Sequence, residues 1–132
     1  MLASKNRLKK KINFARIEID GVMHQSKSFG MGIYDRLDVY NSDNNNLDEN
    51  DRKESHFGFI VSTKISKKAV VRNRIKRVIA EVIRKRLGEI KRGLDVVFLI
   101  KPSAVKISKE ELENETNEII TKNLQINTLS HS

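Results

Sequence analysis

Cysteine and tryptophan are absent from this 132-residue chain, and proline occurs once. Without thiols there is no disulfide framework, no thiolate metal site and no cysteine nucleophile, a composition that fits a reducing cytosol. Long apolar runs are missing too. The longest, Val96 to Ile100, suits one strand and falls far short of a bilayer-spanning helix. The basic N-terminus MLASKNRLKKKINF has no apolar segment behind it, which excludes a secretory signal. These absences point to a cytoplasmic chain with no membrane partner. With 38% hydrophobic residues the chain can build a modest core, enough for one domain with tails.

Positive charge is plentiful and segregated. The formal net charge is +9. Twelve Lys and Arg residues fall between Lys64 and Arg92, against Glu81 and Glu89. A second basic group, Lys5, Arg7, Lys9, Lys10 and Lys11, lies near the N-terminus, whereas DNNNLDENDRKE (43–54) and the last third are acidic on balance. Such segregation is the footprint of a phosphate-backbone binder.

Residues 1–8 read as a flexible basic arm. A short helix follows from Ile12 to Asp20, with Phe14, Ile17 and Ile19 as its apolar residues and Gly21 as its stop. A strand is expected over Met31–Asp38, with room for another short one near Val22. The Asn- and Asp-rich stretch 41–55 cannot drive a core and reads as a mobile loop. It is expected to top a hairpin, because HFGFIVS (56–62) is again β-prone. Gly58, between Phe57 and Phe59, signals a bulge or a close backbone approach.

The clearest periodicity is helical. Val71, Ile75, Val78, Ile79, Val82 and Ile83 recur on one face over 69–87. The opposite face carries Asn73, Lys76, Arg77 and Arg84, with Arg72 at its edge. DVVFLI (95–100) is a strand covered on both sides. Ser108 and Glu111 form a capping box that opens a last helix over 109–124. The element order is α-β-β-α-β-α, within one domain over 9–125 and a flexible tail over 126–132.

No catalytic constellation emerges, so no residue is assigned a catalytic role. His24, His56 and His131 lack metal-ligand spacing, and the glycines form no phosphate-binding motif. Polyanion binding is better supported. Cations along an exposed helical face neutralise successive phosphates, and Lys64, Lys67 and Lys68 extend that face into the preceding loop. Phe14, Tyr34, Phe57 and Phe59 offer rings for stacking single-stranded bases, with core packing the alternative, favoured for Phe59. A membrane is disfavoured because the apolar stripe is needed to cover the sheet. The two adjacent short helices of a helix-turn-helix are missing.

HFGFIVSTKISKKAVVRNRIKRVI resembles the centre of the bacterial ribonuclease P protein family. Gly58, Val61, Ser62 and Lys64 fit the family's strand, with Thr63 in place of a usual Lys. Ala69, Arg72, Asn73, Arg74, Ile75, Lys76 and Arg77 match its helical motif position by position. GLDVVFLIKPSA and NRLKKKINFARI are similar to the flanking family segments, so the likeness spans most of 7–125.

The resemblance implies an α+β sandwich with a four-stranded sheet and the basic helix in a left-handed β-α-β crossover. It also implies a role beside a catalytic RNA that removes the 5′ leader of precursor tRNA by Mg²⁺-dependent hydrolysis, with no obligate protein partner. Arg72, Asn73, Arg74, Lys76 and Arg77 would contact that RNA, with Lys64, Lys67, Lys68 and Arg84 beside them. Phe14, Tyr34 and Phe57 would form the leader cleft. Three positions depart from the family pattern. Ala80 stands where a basic residue is usual, Glu18 where an aromatic is common, and His56 where Arg is frequent. The alternatives are a non-enzymatic protein bound to ribosomal or other structured RNA, and a DNA-binding regulator.

Overall fold

A computed structural model of the chain describes residues 2–8, 11–36, 54–62 and 64–125. Helix α1 spans Lys11–Asp20, and strands β1 (Val22–Gln25) and β2 (Phe29–Asp35) follow. Strand β3 (His56–Ile60) leads into helix α2 (Ala69–Lys85), strand β4 (Leu94–Ile100) and helix α3 (Lys109–Asn123). The sheet order is β1-β2-β4-β3, with β1–β2 and β2–β4 antiparallel and β3–β4 parallel. The expected α+β class and four-stranded sheet are present, as is the short strand at Val22.

The expected hairpin between β2 and β3 does not form, because β4 lies between them. The reason is in β4 itself. Its apolar run Val96–Ile100 must be covered on both faces and is most stable flanked on both edges, so β4 takes the centre. β3 is then joined to β4 by the α2 crossover. The Asn-rich stretch expected as a loop falls mostly outside the described residues, as does 126–132. Its end does not: Ser55 is buried, with its Oγ accepting from Leu94 N and donating to Lys91 O.

Strand pleating sorts the side chains onto two unequal faces. Phe29, Met31, Phe57, Val96, Phe98 and Ile100 point to the side covered by α2 and α3, where the main core lies. Phe98 stacks on Phe59 and meets Phe29 edge-on, with centroids 5.5 and 5.4 Å apart. Helix α2 buries Ile75, Ile79, Ala80, Val82 and Ile83 there, the predicted stripe plus Ala80. Val71 and Val78 are half-buried at its margins. Helix α3 adds Leu112, Thr116, Ile119 and Ile120. Ser108 caps it as expected, its hydroxyl accepting from Glu111 N at 3.1 Å, while the Glu111 carboxylate of the expected capping box meets that hydroxyl at 3.3 Å and not the Ser108 N–H.

The other face carries only α1 and a thinner cluster of Leu8, Ile17, Tyr34 and Val97. Glycines set the close approach. A Cβ on Gly32 would stand 2.7 Å from the Ile17 side chain, and one on Gly58 would stand 2.6 Å from the Phe14 ring. Gly58 therefore marks a close approach in an unbroken ladder and not a bulge. Ile19, expected among the inward residues of α1, is 79% exposed.

The N-terminal segment also departs from expectation. It is packed, with Leu2, Asn6 and Leu8 all buried. Arg7 bridges in parallel to Phe57, and Leu8 N donates to Phe57 O at 2.9 Å. The segment covers the free edge of β3, which would otherwise present unpaired backbone groups. Two apolar residues in a basic stretch, Leu2 and Leu8, supply its anchorage.

Candidate nucleic-acid interface

Helix α2 presents the basic surface. Asn73, Arg74 and Arg77 are exposed, and Arg72 and Lys76 are half-buried. None of these four cations forms an ion pair with a carboxylate among the described residues. No side chain caps the helix N-terminus and its first turn holds no acid, so the helix dipole adds to the positive field.

The loop entering α2 is shaped by serine hydroxyls. Ser62 Oγ accepts from Lys64 N, and Ser66 Oγ from Lys68 N, the local bonding that favours turns. Arg72 Nη1 donates to Ser66 O at 2.8 Å and ties the loop to the helix. Lys64, Lys67 and Lys68 are thereby exposed beside the N-terminal turn.

Arg84 differs from its neighbours. Its guanidinium grips both carboxylate oxygens of Glu81. That hydrogen bond holds the Glu81 carboxyl below the usual carboxylate range and pushes Arg84 further up. Arg86 is also engaged, donating to Asn117 O and Thr121 Oγ1 across α2 and α3. The local excess of Lys and Arg thus divides into an unpaired group toward the helix N-terminus and a structural group toward its C-terminus.

The predicted aromatic cleft resolves into two places. A cleft of about 240 Å³ opens beside the β3 edge, lined by Arg7, Phe14, Gly58, Phe59, Lys76 and Ala80 among others. Phe57 borders it but is only 2% exposed and belongs to the main core. It is therefore corrected from a stacking residue to a packing one, because its side chain points to the α2 side of β3. Ala80 also borders the cleft and keeps it open where a longer side chain would fill it.

Tyr34 lies on β2, separated from β3 by β4. It shares the α1 side of the sheet and the small cluster there with Phe14. Its ring is buried, with the Arg16 guanidinium 5.2 Å from its centroid. That distance is within cation–π range. Arg16, missed by sequence reasoning, thus covers one side of the ring and presents its own planar cation above it. Glu18 is exposed on the same helix.

A buried charge cluster was also missed. Asp95 is 1% exposed, with His56 Nδ1 3.0 Å and Arg36 Nε 3.4 Å from its Oδ1. Arg36 Nε also donates to Gly93 O, and its Nη2 to Glu54 O. A carboxylate accepts, so Asp95 favours the proton on His56 Nδ1. A lone acid opening an apolar strand was the available signal. Among the described residues, no three His, Cys, Asp or Glu side chains converge as metal ligands, and no helix is long and apolar enough to cross a membrane.

Residues 2–124 match the Ribonuclease P family. The ribonuclease P protein component of Pseudanabaena sp. is 30% identical over 122 residues, covering 92% of this chain and 94% of that protein. That of Microcystis aeruginosa is 44% identical over 68 residues, covering 52% of this chain and 57% of its own. In structure, the Staphylococcus aureus RNase P protein superposes with a TM-score of 0.75 at 20% identity, covering 92% and 98% of the two chains. The Thermotoga maritima RNase P protein gives 0.68 at 21% identity, covering 88% and 96%. These two likenesses establish the fold.

Proposed function

The chain belongs to the ribonuclease P protein family, and from that premise we propose that it is the protein subunit of a cytoplasmic ribonucleoprotein that removes the 5′ leader of precursor tRNA. The observation that carries the reading is the family motif Arg72–Arg77 standing on a solvent-facing helix, with no ion pair to a carboxylate among the described residues. In this reading Arg72, Asn73, Arg74 and Arg77, with Lys64, Lys67 and Lys68, follow the backbone of the catalytic RNA. Arg adds a planar fork that bonds a phosphate through two N–H groups. Arg84 joins them only by exchanging Glu81 for phosphate.

The leader runs along the α1 side of the sheet, where Phe14 offers a partly open ring and Tyr34 lies beneath Arg16. No residue of the chain is assigned a catalytic role. The RNA subunit holds the Mg²⁺ that supports hydrolysis, and the protein adds affinity for both RNAs. Binding energy placed on the leader, away from the scissile bond, orients the substrate for the RNA's chemistry.

The test is precursor-tRNA cleavage by the cognate ribonuclease P RNA at low Mg²⁺, with and without the purified chain. Restored cleavage at the mature 5′ end is expected. Tight binding of the RNA with no gain in cleavage would leave a structured-RNA binder and overturn the ribonuclease reading.

A further inference from the structure

The cleft beside β3 combines features of one ligand class. Among the described residues that line it, Arg7 and Lys76 carry charge and none is a carboxylate. Phe14 and Phe59 give it flat apolar walls, and Gly58 leaves its floor without a side chain. At about 240 Å³ it is smaller than the roughly 300–1,000 Å³ typical of sites for whole small ligands. It suits one unit of a polymer that is anionic, with a planar apolar part.

Arg7 reaches this cleft from the N-terminal segment, and hydrogen bonds fix it there. Its Nε donates to Leu2 O at 3.1 Å, while Leu8 N and Asn6 Nδ2 donate to Phe57 O and Ser55 O at 2.9 and 3.0 Å. The remaining guanidinium N–H groups have no partner among the described residues. A cation held in place before binding loses little rotamer entropy when it meets a phosphate. Lys76 approaches from α2, on the other side of the edge strand.

We propose that residues 2–8 are a wall of the leader site, and that Arg7 and Lys76 clamp the phosphate of one single-stranded nucleotide whose base lies against Phe14. This rests on the reading that the leader occupies the α1 side of the sheet, and it adds a residue and a segment to it. Lys76 then serves the leader, whereas Arg74 and Arg77 serve the catalytic RNA.

The experiment titrates the full chain with a labelled single-stranded pentaribonucleotide at several salt concentrations, and separately with ribonuclease P RNA. Arg7→Gln and Lys76→Gln are each expected to weaken pentanucleotide binding several-fold. Each should lower the log-salt slope by up to about 0.7, the value for one single-strand phosphate. Arg7→Lys should recover most of the slope, and Arg7→Gln should leave affinity for ribonuclease P RNA within about twofold.

Loss of pentanucleotide affinity in Phe14→Ala but not in Arg7→Gln would overturn the clamp and leave the leader reading standing. No effect from either, with loss in Arg77→Ala, would place the strand on α2 and overturn both. Equal losses of Arg7→Gln on the two RNAs would reduce Arg7 to general charge. Unfolding midpoints of each variant separate these outcomes from loss of fold, and Lys76→Gln tests the clamp without touching the N-terminal wall.

Discussion

Replacing Gly58 with alanine would place a Cβ 2.6 and 2.7 Å from two carbons of the Phe14 ring and 3.1 Å from Leu8 Cβ. Ordinary carbon contacts begin near 3.5 Å, so the ring must retreat by about 1 Å or the strand must bend. Overpacking of this kind costs about 1–3 kcal/mol. Alanine in a strand recovers about 0.5–1 kcal/mol of backbone entropy. The net expectation is destabilisation by roughly 1 kcal/mol. For a chain of this length that lowers Tm by roughly 3–5 °C per kcal/mol. Denaturant unfolding should show a lower midpoint with an unchanged m-value. The decisive arm is a double-mutant cycle. In a Phe14→Ala background the clash is gone, so Gly58→Ala should become neutral or stabilising, a coupling of about 1–3 kcal/mol. Equal destabilisation in both backgrounds, or no change in the first, would refute the contact as the reason for glycine. The same substitution should impair binding of leader-bearing precursor more than that of mature tRNA.

Arg72→Ala combined with Arg77→Ala should flatten the log-salt slope for ribonuclease P RNA by about 0.7–0.9 for each phosphate no longer neutralised; an unchanged slope would remove α2 from the interface. Asp95→Asn should cost about 3 kcal/mol in denaturant unfolding, because it removes the buried carboxylate that faces both Arg36 and His56; a cost below about 1 kcal/mol would show that this pairing adds little to the fold. Tyr34→Ala should weaken precursor binding relative to mature tRNA by about 1 kcal/mol, measured where the variant and the parent chain are both folded. Equal effects on the two substrates would take Tyr34 out of the leader site.

Much of this molecule is legible in local pattern, and the exceptions share a cause. The stripe of α2, the Ser108 cap of α3 and the double-sided burial of β4 depend on residues close in sequence, where periodicity and capping chemistry suffice. Strand partnership depends on which sequence most needs burial, so β4 displaced the expected β2–β3 hairpin. The N-terminal segment has a similar explanation. Lys5 and Arg7 give it its charge, but Leu2 and Leu8 decide its place. In sequence Arg84 stands with Arg77 on the basic face, and Arg86 is one more cation of the same segment. Only the positions of Glu81 and of α3 reveal that Arg84 and Arg86 are engaged. A residue's charge is written in the sequence, whereas its availability is a property of distant neighbours, 35 residues away in the case of Arg86 and Thr121.

The α1 side of the sheet makes the same point through small residues. Three of the six glycines, Gly30, Gly32 and Gly58, alternate onto this face of β2 and β3. Two of them allow α1 to lie close enough for Ile17 and Phe14 to meet the strands, and Ala80 leaves space at the β3 edge. The opposite face is filled by aromatic and branched side chains that secure the fold. A polymer can be gripped only where the backbone is near the surface and the large side chains are few enough to leave a groove. The cost is a thin second cluster on that side, so variants that fill the groove should harm leader binding before they unfold the core, whereas variants of Phe98 or Ile79 should lose both together.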